Sequence, residues 1–128
     1  MKGRRSGRII AISSVVGRSG RAFRSVSPTY AGSKAAMIGY VKGMAIECGP
    51  YNVTANAICP GWTDWSDAWG EKHGAATPEL REKAKGLIAL GRTGTDEDIA
   101  GAVLYLASPL ASYVTGVSLD VNGGLYIG

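Results

Sequence analysis

The chain has 128 residues, of which 45% are hydrophobic and 19% are charged, a balance typical of one folded domain and not of a disordered chain. No apolar run approaches the roughly 18 residues that span a bilayer. Two cysteines and one histidine are too few for a disulfide scaffold or a common zinc site. The net charge of +4 is uneven, because residues 1–24 contain seven basic residues and no acid.

The basic segment 1–24 has three interpretations. Clustered arginines can contact nucleic acid, and an Arg- and Ser-rich segment without acids can be a transit peptide. The third interpretation is a lead-in to a strand whose charges are simply solvated. We favour this last interpretation and expect neither nucleic acid nor a membrane among the partners. Because so few cysteines are typical of a reducing compartment, we expect a cytoplasmic protein.

In chain order, the first predicted element is a strand at residues 8–13, an isoleucine-rich run typical of a buried strand. Residues 15–27 are rich in glycine, serine and arginine, and they predict a loop. A helix is predicted at residues 28–48, because Ser27 is a favourable N-cap and Pro28 is tolerated in the first turn. The glycine and proline that follow predict its end.

The second half of the chain continues the alternation of strands and helices. The predicted elements are a strand at 52–58, a helix at 78–91, a helix at 96–107 and a strand at 117–121. Thr77 and Thr95 are the expected N-caps of the two helices, and Asp98 completes a capping-box pattern with Thr95. Residues 62–76 are compatible with either a loop or a short helix.

Strands that alternate with helices predict a parallel sheet with right-handed crossovers. Three strands make a small parallel sheet with two open edges. The expected fold is therefore α/β, and specifically one half of a larger doubly wound, Rossmann-type sheet. We expect residues 1–128 to form a single partial domain.

Three side chains with complementary chemistry are predicted to meet at one end of this sheet. Tyr30 and Lys34 lie four residues apart on one face of the predicted helix. Ser14 follows the first strand, where the ligand sites of open α/β sheets gather. An ammonium group stabilises an ionised phenol beside it, so Tyr30 could exchange a proton with a substrate oxygen held by Ser14. From spacing alone, an ordinary Tyr–Lys pair on the surface is the commoner explanation.

Four segments in a fixed order point to a known family. They are GRIIAISSVVG at 7–17, YAGSKAA at 30–36, NAICPG at 56–61, and a last segment from TG at 115–116 to DVNGG at 120–124. This pattern resembles the short-chain dehydrogenase/reductase family, particularly its ketoacyl-reductase-like branch. The resemblance runs from about Gly7 to the end and covers the C-terminal half of that family's fold.

The resemblance implies a role for each matching residue. Ser14 matches the serine that holds the substrate oxygen, Tyr30 the proton donor or acceptor, and Lys34 the lysine that binds the nicotinamide ribose. Pro60 and Gly61 match the turn beside the nicotinamide.

The resemblance also implies a backbone contact to the carboxamide of the nicotinamide. Thr63 falls at the position that makes it. Trp65 stands where the family often has a threonine, which leaves Thr63 or Ser66 as substitutes. The segment 122–124 matches the family's terminal structural turn.

The family's glycine-rich pyrophosphate turn and its catalytic asparagine have no counterpart in these 128 residues. The favoured expectation is an NAD- or NADP-dependent oxidoreductase that transfers hydride between the nicotinamide and a small carbonyl or alcohol substrate. We expect a truncated chain that binds dinucleotide weakly. The alternatives are a non-catalytic fragment that assembles with a full-length relative, and a fragment that does not fold stably.

Two further patterns concern packing. Ala31, Ala35, Gly39 and Gly43 repeat every four residues and would let another backbone approach, so we expect a homo-oligomer. Trp62, Trp65 and Trp69 would form one stripe on a helix. We expect this stripe to be a packed lid rather than the lining of an apolar substrate pocket.

Overall fold

The computed structural model describes residues 1–20, 27–63 and 77–128. Its strands are β1 (Gly7–Ile12), β2 (Val53–Pro60) and β3 (Ser118–Val121), and its helices are α1 (Val15–Ser19), α2 (Pro28–Cys48), α3 (Pro78–Leu87) and α4 (Asp96–Ala107). Two short 3-10 turns, Gly49–Tyr51 and Pro109–Ala111, follow α2 and α4. The order of elements confirms the predicted α/β class.

The three strands form a parallel sheet in the order β1-β2-β3. Ile12 pairs with Ile58, and Pro60 pairs with Val121, so the carboxyl ends of all three strands meet at one edge. This is the edge at which open α/β sheets bind ligands.

The sheet is covered on both faces, and its central strand is the core. On one face, Ile38, Val41 and Ala45 of α2 pack against Ala55, Ala57 and Cys59 of β2. On the other face, Leu106 of α4 packs against Ile58. Residues 53–59 are all buried, as expected for a parallel strand that lies between two helical layers.

A buried amide fixes β2 to the segment before β3. Asn56 is fully buried; its Nδ2 donates to the carbonyl of Val114 at 2.9 Å, and its Oδ1 accepts from the N–H of Val117 at 3.2 Å. These two bonds satisfy a polar group that would otherwise destabilise the core. They also fix the path by which the chain enters β3.

Two of the three predicted N-caps make cap bonds. Thr77 accepts from the N–H of Leu80, and Thr95 forms a capping box with Asp98. Ser27 precedes Pro28 as predicted but makes no side-chain cap bond. The predicted end near Gly91 of the helix at 78–91 is wrong. The corresponding helix α3 ends at Leu87, and Ile88 is extended and buried.

The predicted loop at 15–27 is also wrong in its first part, where α1 lies. Ser14 caps this helix, Val15 and Val16 are buried, and Gly20 ends it in the left-handed conformation. The hydrophobic contacts of the two valines outweigh the poor helix propensity of the surrounding glycines and serines. Residues 21–26 lie outside the described part of the chain.

The basic N-terminal segment is exposed and leads into β1, as predicted, and two of its side chains also make surface contacts. Lys2 forms an ion pair with Glu47 at 2.8 Å, and Arg5 donates to the carbonyl of Pro50 at 2.9 Å. The Glu47 contact raises the pKa of Lys2, and the ammonium of Lys2 lowers the pKa of Glu47. Within the described ranges, no helix combines the length and the apolar character needed to cross a membrane.

Candidate active site

Ser14 stands at the junction between β1 and α1. Its backbone is extended, and its Oγ accepts a hydrogen bond from the N–H of Val16 at 3.2 Å. A hydroxyl that accepts in this way keeps its own proton for another acceptor. The side chain is therefore oriented as a hydrogen-bond donor at the carboxyl edge of the sheet.

Tyr30 and Lys34 lie on the first two turns of α2. The Nζ of Lys34 is 5.7 Å from the centroid of the Tyr30 ring, and it donates to the carbonyl of Ile12 at 3.0 Å. Tyr30 is 45% exposed, so its phenol is accessible to a substrate. An ammonium has three N–H donors, and the Ile12 carbonyl occupies one of them.

Three contacts hold the start of α1, two of them against α2 and one against β2. The Oγ of Ser13 donates to the carbonyl of Lys34 at 2.8 Å, and the N–H of Ser13 donates to the carbonyl of Ile58 at 2.7 Å. Gly17 lies so close to α2 that an added Cβ would be 2.7 Å from the carbonyl carbon of Lys34. The structure thus brings Ser14, Tyr30 and Lys34 to one edge, while their chemical roles stay a prediction.

Pro60 ends β2, and Gly61 and Thr63 follow it at the same edge. The N–H of Gly61 donates to the carbonyl of Val121 at 3.0 Å, and a Cβ at Gly61 would lie 2.7 Å from the Cβ of Asn122. Thr63 is buried and bridges to Gly94. Trp65 and Ser66 lie outside the described residues.

The predicted turn after β3 is present. The Oδ1 of Asn122 accepts from the N–H of Gly124 at 2.9 Å, and its Nδ2 donates to the carbonyl of Tyr126 at 3.1 Å. Gly123 and Gly124 have φ values of 63° and 82°, which glycine adopts without strain. This turn positions Asn122 against Gly61.

A cavity of about 190 Å³ opens at this edge between the ends of β2 and β3. Its lining includes Trp62, Leu90, Arg92, Asp98, Asp120 and Asn122. Arg92 contacts both carboxylate oxygens of Asp98, at 2.6 and 3.0 Å, and lowers the pKa of Asp98 well below its usual range. Trp62 is the one member of the predicted tryptophan stripe within the described residues, so the stripe itself is not tested.

Sequence reasoning missed an ion pair beside this edge. Nη2 of Arg18, on α1, lies 3.3 Å from Oδ2 of Asp120, on β3. Burial raises the pKa of Asp120, although Arg18 acts in the opposite direction. Burial also raises the pKa of the Cys59 thiol, which pairs with Asp120 in the sheet register. One feature of the sequence could have indicated this ion pair, because Asp120 is a single acidic residue inside the strand predicted at 117–121.

The comparisons with known proteins agree with this geometry. The family described as enoyl-(acyl carrier protein) reductase matches residues 1–126. The chain belongs to the short-chain dehydrogenase/reductase family. The family assignment confirms the resemblance found in the four ordered segments.

Curated relatives within this family are similar over almost the whole chain. A 3-oxoacyl-(acyl-carrier-protein) reductase of Aquifex aeolicus is 43% identical over 95% of this chain and 46% of its own length. The reductase of the same name from Pseudomonas aeruginosa is 44% identical over 96% and 47%. A nodulation protein G of Rhizobium sp. is 42% identical over 98% and 48%. The chain spans about half the length of the curated relatives it matches.

A solved structure of the family supports the fold. It is a 3-oxoacyl-(acyl-carrier protein) reductase with bound NAD from Brucella melitensis, with a TM-score of 0.79 and 35% identity. The match covers 100% of this chain and 44% of that chain. The Rossmann-type, partial architecture predicted from the sequence is confirmed.

Proposed function

We propose that the protein containing this chain is an NAD(P)-dependent oxidoreductase that transfers hydride between a nicotinamide and a carbonyl or alcohol carbon. One observation carries the proposal. The ammonium of Lys34 lies beside the Tyr30 ring and is held by the Ile12 carbonyl, two residues before Ser14. A phenol, an ammonium and a hydroxyl donor are thereby gathered at the ligand-binding edge of the sheet.

Tyr30 exchanges the proton. In reduction, the carbonyl carbon gains a hydride and its oxygen gains the phenolic proton; in oxidation, both transfers run in reverse. The phenol is left ionised after it donates, and the positive charge of Lys34 stabilises that state. The exposure of Tyr30 lets a substrate oxygen reach it.

Ser14 holds the substrate oxygen. Because Val16 donates to its Oγ, the Ser14 hydroxyl proton points to a second acceptor, which we assign as the substrate oxygen. A preorganised donor at this position stabilises the negative charge that develops on the oxygen during hydride attack. The cap bond therefore orients the catalytic donor as well as the helix.

The described residues fit the nicotinamide and ribose end of a nicotinamide dinucleotide. The two remaining N–H donors of Lys34 suit the two hydroxyls of a ribose, and Pro60, Gly61 and Thr63 supply a turn and backbone groups on the neighbouring strand. When bound, the nicotinamide supplies or accepts the hydride. This assignment holds for NAD or NADP alike.

The names of the relatives support a substrate class. Their names describe reduction of a 3-oxoacyl group, and we extend that chemistry to this protein as reduction of a small 3-oxoacyl thioester. The neighbouring cavity of about 190 Å³, which Trp62 helps to line, provides space at the same edge.

We also propose a homo-oligomer that acts in the cytoplasm. Gly39 and Gly43 are exposed on α2, and a Cβ added at either meets nothing within 4 Å in this chain. This open face suits a second copy of the helix. Both Cys48 and Cys59 are free thiols, which suits a reducing compartment. Light scattering and cell fractionation test these two points.

The test begins with the intact mass of the protein made in its source cells, followed by assays of that product. We expect it to oxidise NADH or NADPH in the presence of a 3-oxoacyl thioester. Tyr30→Phe should abolish turnover and leave thermal unfolding unchanged. Tyr40→Phe, an exposed tyrosine on the same helix, is the matched control and should retain full activity.

Normal turnover by Tyr30→Phe would rule out the proposed proton transfer. A product that shows no turnover but binds a full-length relative tightly, with or without Tyr30→Phe, would favour the non-catalytic assembly role. Protease sensitivity and an unfolded circular dichroism spectrum would instead indicate an unstable fragment.

A further inference from the structure

The ion pair between Arg18 and Asp120 joins two elements that no predicted motif connects. Arg18 lies on α1, four residues after Ser14, and Asp120 lies on β3 at the far side of the sheet edge. Both side chains are mostly buried, at 24% and 23% exposure. The guanidinium also donates to the carbonyl of Gly128 at 3.4 Å and lies 5.7 Å from the Tyr126 ring.

Helix α1 needs such contacts because it is too short to be stable alone. It has five residues, whereas isolated helices below about 12 residues are marginal in water. Ser13 and Gly17 fix the side of α1 that faces α2. Ser14 caps the N-terminal end of α1, and Arg18 lies near its C-terminal end. Arg18 connects that end to Asp120 on β3 and to residues 126–128 after β3.

The geometry of the Arg18–Asp120 ion pair is not optimal for stabilising the fold. Oδ1 of Asp120 is buried and, among the described residues, has no hydrogen-bond partner. Burial raises the pKa of Asp120 in spite of the guanidinium beside it. A partly buried ion pair with an unsatisfied oxygen is weak evidence for a stabilising role, because burying the two charges offsets their attraction. The position of the pair, which ties α1 to β3, suggests a further role.

We propose that Arg18 and Asp120 are positioning residues that hold α1, and with it the Ser14 hydroxyl, in the orientation needed for catalysis. This inference rests on the proposed function. Arg18 does not line the neighbouring cavity, so its effect on Ser14 passes along one turn of helix. Asp120 does line that cavity, so the matching loss in Arg18→Gln and its dependence on Ser14 separate positioning from a direct substrate contact. A displacement of about 1 Å at a reacting group can lower the rate as much as 100-fold.

The test is a double-mutant cycle in the enzyme as its source makes it. Asp120→Asn should lower kcat about 10-fold and change KM less than twofold, with kcat measured at a temperature at which the variant is fully folded. In a Ser14→Ala background, the same substitution should change kcat less than twofold, because the oriented hydroxyl is already absent. Amide hydrogen exchange at residues 15–20 should be faster in Asp120→Asn.

A second variant approaches the pair from the other side. Arg18→Gln should lower kcat to a similar extent and with the same dependence on Ser14, and it remains informative if Asp120→Asn fails to fold. Glu47→Gln removes an ion pair of 2.8 Å far from the edge; as the matched control, it should leave kcat unchanged.

The outcomes separate the two proposals. An unchanged kcat in Asp120→Asn and Arg18→Gln, or an equal loss in the Ser14→Ala background, overturns the positioning role and leaves the proposed function intact. Full turnover by both Ser14→Ala and Tyr30→Phe overturns the proposed function and the positioning role together.

Discussion

The two helices that carry the candidate site differ in what keeps them folded. Helix α2 has 21 residues, and four of its side chains are buried against the sheet. Helix α1 has five residues, and it depends on a side-chain cap, two buried valines and contacts made by its neighbours. The candidate site therefore combines a stable support for Tyr30 and Lys34 with a support for Ser14 that depends on neighbouring elements.

The sharpest way to test this difference is to separate the two duties of Ser14. Ser14→Gly and Ser14→Ala should both lower kcat about 100-fold, because each removes the hydroxyl donor. Ser14→Ala should also reduce the free energy of unfolding by about 1 kcal/mol, whereas Ser14→Gly should cost only a few tenths. Steady-state kinetics and urea unfolding measure the two effects. Near-normal turnover by Ser14→Gly would show that only the cap matters.

A pair of glycines compares the two helices directly. Gly17→Ala should destabilise the protein by about 1–3 kcal/mol, because the new Cβ overlaps the backbone of Lys34. Gly32→Ala on α2 has open space around it, lies outside the face proposed for a second copy, and should stabilise the protein by up to about 1 kcal/mol. Thermal unfolding of the isolated variants checks both signs. Equal destabilisation would contradict the view that only α1 is tightly fitted here.

The N-caps provide a smaller contrast. Ser27 makes no side-chain cap bond to α2, so Ser27→Ala should change the free energy of unfolding by less than about 0.5 kcal/mol. The loss expected for Ser14→Ala is larger although α1 is the shorter helix. A loss at Ser27 as large as that at Ser14 would mean that α2 also depends on its cap.

Helix α4 adds a pH-dependent case. Asp98 completes the capping box that begins with Thr95. Its pKa is lowered by the Arg92 guanidinium and by the N–H of Thr95. The folded-state pKa lies below the unfolded value, so the stabilisation is complete above about pH 4 and is lost as the pH falls further. Asp98→Asn should therefore lower the free energy of unfolding at pH 7 and make its decrease below about pH 4 less steep. Glu97→Gln, on the same turn, should leave that decrease as steep as in the unmodified protein.

The long elements were predictable because their signals are local. Pro28 and the glycine after Cys48 bound α2, and the capping box of Thr95 and Asp98 begins α4 where the structure has it. Spacing alone placed Tyr30 and Lys34 on one helix face. Ser14 was expected to join them because it follows the first strand, and the family segments added a chemical role for it.

The short helix was not predictable, because its causes lie elsewhere in the chain. Val15 and Val16 are helical because the sheet and α2 bury them, and Gly17 is required only because Lys34 lies against it. Arg18 looked like one more charge of a basic segment, since its partner Asp120 lies on a strand about a hundred residues later. Tertiary contacts of this kind leave no periodic signal.

The brevity of α1 has a consequence for how the protein fails under stress. A single turn that forms only against finished neighbours is the part most easily released by urea or heat, while α2 and the central strand persist. Turnover would then vanish at a lower urea concentration than circular dichroism. The working lifetime of the enzyme would be set by one turn of helix rather than by the stability of the whole sheet.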